Sequence, residues 1–577
     1  MRTYNDFKDM REVITGRKKA DLVIKNGKIV NVFTREIIEK PISIVNGYIC
    51  GFFECDANHV VDVKGQYIVP NLIDCHMHIE STMVTPDKLN DILLARGVST
   101  IVADPHEIAN VMGVDGIKFI LDNASDLDID VMINLPSCVP CTNMEHSGAI
   151  LKAKDLKDLY NEKNVYTLAE VMDYFAVRDD DDMLNKLYDS YMNGKMSDGH
   201  GSILDEMGYD LYASLNIKND HECVEPQGVI DRARRGIYTF IREGSVTKNL
   251  KQLLPAINEQ TYRYTCFCTD DCHTDDLLEK HCITNVVREA IKQGLNPIMA
   301  ITMATLNAAT CYELKERGAV APGYEASFFV CDDLTTLTAS RVYQNGKLVS
   351  VDGKICNPKA KEISKHCELP NTIHFKDFTS DDLRLKLSKD LVHIMRIEGG
   401  NVLTYDSIDR VKIEDGYFVC NPVKDQALLT VVERHHETGN IGKCVVTGFK
   451  MMKGAIATSV AHDSHNIICV GMNERDMELA IKHLKEIHGG YVIVCDGKVI
   501  SDVTLDIAGL MSSSSAEKVS EQLHQIHSNI RYICNDLDFN PFLMLSFISL
   551  PVIPDLKLTD IGLIDVRSGK VMDIEVN

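Results

Sequence analysis

The chain has 577 residues, 45% of them hydrophobic and 25% charged, with a net charge of -23. That acidity argues against a nucleic-acid backbone or an anionic membrane as a standing partner and fits a small neutral or cationic substrate. The 19 cysteines are scattered along a long chain, the N-terminus lacks an apolar signal core, and no run approaches about 18 apolar residues; together these predict a reducing, cytoplasmic setting without disulfides or a membrane span.

At about 150 residues per domain the length predicts three or four units, two of which a barrel would absorb. Residues 21–66 read as short strands, Ala20 to Gly27, Lys28 to Phe33 and Ile42 to Gly47, in which the Asn-Gly pairs signal hairpins. The same texture returns at Ala326 to Cys331 and Ser340 to Val349. Residues 1–69 and 320–356 are therefore expected to join as one small β-sandwich enclosing the segment between them.

Within 70–319, strand-like runs (Ser99 to Asp104, Val131 to Leu135, Thr167 to Glu170) alternate with helical patterns at 112–123, 151–160 and 183–193. This rhythm predicts parallel strands with crossover helices. A (β/α)8 barrel accounts for it best, since such barrels assemble sites at strand C-terminal ends; an open doubly wound sheet shares the rhythm. The acidic run Asp179 to Asp182 is expected to open a solvated helix, where it suits the dipole. Residues 357–375 turn polar and read as a linker. Residues 376–577 mix alternating strands (Leu428 to Glu433, Ile467 to Gly471) with amphipathic helices at 473–488 and 516–530, an α+β domain. The overall class is thus α/β.

At the end of the apolar run Tyr67 to Ile73 stands Asp74-Cys75-His76-Met77-His78. Strand geometry sends His76 and His78 to one face, side by side, as a metal ion requires. Glu170, His200, His221 and Asp270 each follow a segment of their own. Six ligand-type side chains delivered in this way suit two divalent cations, with Glu170 as the candidate bridge.

Pro70 to Pro86, including Glu80 and Ser81, resembles the first barrel strand and loop of the amidohydrolase superfamily, in particular its adenine deaminase branch. Similar matches are Ala103 to Asn110, Leu135 to Pro140, Ala169 to Met172, Asp220 to Cys223, Ile241 to Ser245, Cys268 to Asp271, Met303 to Asn307 and Val460 to Asn466, nearly the whole chain. The resemblance implies a binuclear centre that turns adenine, a small purine base, into hypoxanthine and ammonia. His76, His78, His200 and His221 become imidazole ligands, Glu170 the bridge and Asp270 the last carboxylate. It also implies Mn²⁺ or Fe²⁺, while His-carboxylate chemistry by itself admits Zn²⁺ as well. A homo-oligomer, a dimer, is expected by analogy. Asp270 is expected to shuttle the proton from the attacking water to the departing amine. Glu80, Glu107 and His106 are candidates for protonating and holding the ring, with Ser81 beside them.

Each assignment has a plainer rival. His106 suits a loop residue capping a helix, Glu80 a helix start, and Asp271 an N-cap or a group behind the ligands. His273, His281, His524 and His527 read as packing or surface residues. His462-Asp463-Ser464-His465 fits a second metal site, a reach over the barrel mouth, or a buried polar hinge, the last being favoured. His78-Ile79-Glu80 with Cys138 and Cys141 imitates the signature of a different zinc deaminase fold, but that reading leaves His76, His200, His221 and Asp270 unemployed. Another base or a cyclic amide is the alternative substrate. No lysine stands where amidase relatives carry a carbamylated bridge. A scaffold without a metal site is the nonenzymatic rival, opposed by the full set of six ligands.

Overall fold

The computed structural model describes residues 2–576 except 203, 281, 357, 359–369 and 400–401. Most of the expected linker therefore lies outside the described residues. Within its described end, Ile373 and Phe375 are buried in the C-terminal core, so those residues pack with that unit rather than serving as linker.

The two flanks do join. The strand Phe328–Cys331 pairs antiparallel with Tyr67–Pro70, which in turn pairs with Lys28–Asn31. A four-stranded sheet packs on this seven-stranded one through Leu22, Ile24, Ile44, Ile49, Ile68 and Phe328. Asn46 and Gly47 both take positive φ, 50° and 81°, and join Ile42–Val45 to Tyr48–Gly51 as a tight hairpin. Asn345 and Gly346 do the same between Ala339–Gln344 and Lys347–Val351. Asn26-Gly27 departs from the expectation. The strands on either side of it belong to different sheets, and a Cβ on Gly27 would overlap Ile68. This glycine serves close packing at a crossing between sheets rather than a hairpin. The helix Tyr4–Ile14, with a Thr3–Asp6 capping box, was not anticipated.

Eight parallel strands form the central sheet: β1 (Leu72–Met77), β2 (Val98–Ala103), β3 (Asp130–Leu135), β4 (Val165–Val171), β5 (Ser197–Gly199), β6 (Ile217–Asp220), β7 (Tyr238–Arg242) and β8 (Thr265–Cys268). Each pairs with the next in sequence. The ring closes where Asp270 N–H donates to the His76 carbonyl at 3.0 Å and His78 N–H to the Asp270 carbonyl at 3.1 Å. Closure leaves the barrel without an exposed edge and gathers every strand's C-terminal end at one mouth. The expected helix at 183–193 is Asp181–Met192, with the Asp180 carboxylate accepting from Asp182 N–H. The one at 151–160 is a single α-turn, Ala153–Leu156, running into a 3₁₀ stretch.

The C-terminal unit holds an eight-stranded mixed sheet. The helix Glu474–Glu486 buries Met477, Ala480, Ile481 and Leu484 against it, and Ser515 caps the helix Ala516–Asn529. Its remaining apolar side chains merge with those of the barrel into one continuous core. Ser512 N–H donates to the Met83 carbonyl at 2.8 Å, so the unit sits directly on the loop after β1.

Candidate metal centre and base pocket

The alternation of β1 sends Asp74, His76 and, just past its end, His78 to one face. The Asp104 carbonyl accepts a hydrogen bond from His78 Nδ1 at 3.2 Å, which leaves the Nε2 lone pair free. Asp270, two residues past β8, takes φ 60° in the turn that closes the barrel. Its Oδ1 therefore lies 3.5 Å from His76 Nε2 and 3.2 Å from His78 Nε2.

Glu170 on β4 faces two pairs of imidazoles. Its Oε1 is 3.9 Å from His76 and 3.4 Å from His78, while Oε2 is 2.6 Å from His200 Nδ1 and 3.1 Å from His221 Nε2. His200 and His221 follow β5 and β6 directly, and the His221 ring stacks on His76 at 4.1 Å. All six residues expected as ligands thus meet in one buried cluster. His76 Nε2, His200 Nε2 and His221 Nδ1 are buried without a hydrogen-bond partner. Leaving such atoms unpaired is costly, and divalent cations would satisfy them. The residues present fit the group.

The same strand-end logic, applied to every strand, also reaches residues that the motif reading passed over. Asp104 follows β2 and stands with His78, His106 and Glu170 as a further set of donors within 4.8 Å; Glu222 does so with His200 and His221. Arg242, the last residue of β7, donates to Asp270 Oδ2 at 3.2 Å and pairs with Glu222, and Thr247 Oγ1 donates to the same Asp270 oxygen at 3.1 Å. One Asp270 oxygen is thereby anchored and the other faces the histidines. Burial works against charge on Asp270, but His76, His78 and Arg242 hold its pKa well below the usual range. Burial likewise opposes ionisation of Glu170, and His221 and His200 reverse the effect.

Beside this cluster lies a small cavity of about 10 Å³ lined by Glu80, Ser81, Asp271, His273, His462 and Tyr491, among others. Glu80 opens a 3₁₀ turn, as its plainer reading held, and its Oε1 accepts from Ile108 N–H at 3.1 Å. Burial, then the neighbouring Glu107, raise its pKa to about 7. Ser81 Oγ donates to Asp271 at 2.5 Å, and both residues line the cavity wall. His106 begins the helix His106–Met112 yet faces inward, 4.8 Å from the His78 ring. His273 is buried at the cavity, not at the surface.

Two features depart from expectation. Glu107, set against the purine by the sequence reading, has both oxygens engaged elsewhere: Oε1 with His462 Nδ1 at 2.6 Å and Oε2 with His465 Nε2. His462 and His465 come from the C-terminal unit, whose four-residue motif therefore reaches the barrel mouth rather than forming a remote hinge. Asp463 lies 3.7 Å from His106. Nothing in the local pattern around residue 462 announces a partner 355 positions earlier.

Residues 67–356 match the amidohydrolase family and 401–570 the adenine deaminase C-terminal domain. An adenine deaminase of Geobacillus kaustophilus is 46% identical over 96% of this chain and 97% of its own length. One of Halalkalibacterium halodurans is 43% identical over 98% and 97%, and one of Bacillus pumilus 42% over 99% of each. The chain belongs to the adenine deaminase family of amidohydrolases. Membership in this family of hydrolases acting on C–N bonds implies divalent metal use, with which the buried donor clusters agree. Among the described residues, no helix is long and apolar enough to cross a membrane.

Proposed function

We propose that this chain hydrolyses adenine to hypoxanthine and ammonia, with His76, His78, Glu170, His200, His221 and Asp270 holding two divalent ions. The observation that carries this reading is the convergence of those six side chains on one buried cluster, in a chain related over its whole length to adenine deaminases. The family resemblance points to Mn²⁺ or Fe²⁺, while a donor set of imidazoles and carboxylates by itself admits Zn²⁺ equally. When bound, such ions supply Lewis-acid activation of water at neutral pH.

The protein's own groups do the rest. Asp270, with Oδ2 fixed by Arg242 and Thr247 and Oδ1 free toward the histidines, takes a proton from the attacking water and passes it to the departing amine. Glu80, raised to about 7 in its buried cavity, carries a proton for a ring nitrogen as C6 becomes tetrahedral. His106 packs against the His78 ring, beside Asp104 and Glu170. Ser81 and Asp271 fix the pocket side facing Glu80. Glu107 acts from behind this wall.

The same reading takes the chain as a homodimer in the cytoplasm; the described cysteines are all free thiols, in keeping with a reducing compartment. It also divides the chain at 69, 319 and 356, as expected above. The test is ammonia release by metal-loaded protein with adenine, adenosine, guanine and cytosine. Turnover of adenine above the others is expected; reaction with another base alone would overturn the substrate assignment.

A further inference from the structure

The C-terminal unit places a histidine at the base pocket that the reaction above does not use. His462 is 6% exposed, its ring stacks on Phe547 at 4.3 Å and 20°, and its Nδ1 is bonded to Glu107 at 2.6 Å. The second Glu107 oxygen is held by His465 Nε2. Ala461 N–H donates to His465 Nδ1 at 3.1 Å, so that nitrogen is unprotonated and the proton sits on Nε2, where it bonds Glu107. Glu107, His462 and His465 also lie close enough together to suggest a cation site, but a cation would have to displace that proton. The triad is a hydrogen-bond clamp whose outcome is a single fixed orientation of the His462 ring.

With Nδ1 committed to Glu107, Nε2 is the nitrogen left for the cavity, among Glu80, Ser81, Asp271 and His273. We propose that His462 is a substrate-positioning residue, donating from Nε2 to a ring nitrogen of the purine, and that Glu107 and His465 act through it. Burial opposes charge on this ring, but the Glu107 carboxylate outweighs it and raises the pKa to about 9, in keeping with a donor at Nε2. Such a donor would tighten as negative charge builds on the ring during addition at C6. The C-terminal unit then completes the pocket of the barrel, and recognition of the base is shared between two parts of the chain.

The inference rests on the adenine reading, and its test separates the two. Inhibition constants of 1-deaza-, 3-deaza- and 7-deazaadenine, each lacking one ring acceptor, are measured on the metal-loaded wild-type enzyme and on His462→Asn. In the wild type, one analogue is expected to bind on the order of tenfold or more weakly than the other two, the cost of leaving a charged donor unpaired. In His462→Asn that penalty should shrink to about twofold, a non-additivity expected of groups in contact. Metal content should stay unchanged. Penalties that persist in the variant would overturn the contact, as would loss of an ion with the triad. Should His462→Asn fail to fold, Glu107→Gln, which keeps the shape and loosens the clamp, must show the same selective shrinkage or the proposal falls. Absence of ammonia release from adenine by wild type would instead sink the adenine reading.

Discussion

At the scale of single residues, the centre is built from groups whose charge depends on one another. His76, His78 and Arg242 offset the burial of Asp270 and favour its ionised form. Asp270→Asn keeps the volume and removes the base, so kcat is expected to fall about 10²–10⁴-fold while hypoxanthine still binds. Steady-state ammonia release and a product inhibition constant check this; equal loss in both would mean that Asp270 only shapes the pocket. Arg242→Met should act on the same step from behind, since Asp270 then loses one of its two anchors. Its expected signature is a smaller fall in kcat with a shifted pH-rate profile. Removing the cations with a chelator should abolish turnover and lower Tm, because ions bound only by the folded state stabilise it by mass action. Differential scanning calorimetry with and without Mn²⁺ measures that shift, and an unchanged Tm would count against the six-ligand site.

Among elements, the loops after β7 and β8 matter most. Gly244 lies where a Cβ would overlap the carbonyl oxygens of Thr269 and Asp271, so the two loops touch backbone to backbone beside Asp270. Gly244→Ala should force them apart, destabilise the fold by about 1–3 kcal/mol and reduce metal occupancy. Urea denaturation and metal analysis report both, and a variant with native occupancy would show that Asp270 tolerates the shift. The strand-end rule made most of this centre legible in advance. His76, His78, Glu170, His200 and His221 lie on or just after strands whose apolar runs are visible in the sequence, and strand alternation fixes the face they share. The Asn26-Gly27 turn was misread because its local signature equals that of Asn46-Gly47. In the fold Gly47 takes φ 81° whereas Gly27 has no positive φ, and Ile68 packs against Gly27 where the chain crosses between sheets.

For the whole molecule, the barrel and the C-terminal unit share one core, so the pocket and the global stability are linked. Lys557 shows this. It is fully buried, donates to the Val402 and Phe547 carbonyls at 3.0 and 2.9 Å, and supports the segment whose Phe547 ring stacks on His462. Burial lowers its pKa from 10.5 to about 7. Between those values the unfolded chain binds a proton that the folded chain sheds, so stability should rise with pH from about 7 toward 10.5 and be lowest below 7. Lys557→Met should lose this part of the slope, which urea midpoints at pH 7 and 9 would reveal. Equal slopes in the two proteins would mean the lysine keeps its charge in the fold.

The amino-acid pattern alone determined the barrel rhythm, the six candidate ligand positions and the joining of the two β flanks, because each rests on periodicity or on a residue's distance from the end of its own strand. Tertiary structure alone decided that His462 and His465 hold Glu107, that Arg242 and Thr247 anchor Asp270, and that Ser81 faces Asp271. Those pairings join different elements, several of them far apart in the chain. They arise only when one packed surface meets another, and no local rule of spacing encodes that meeting.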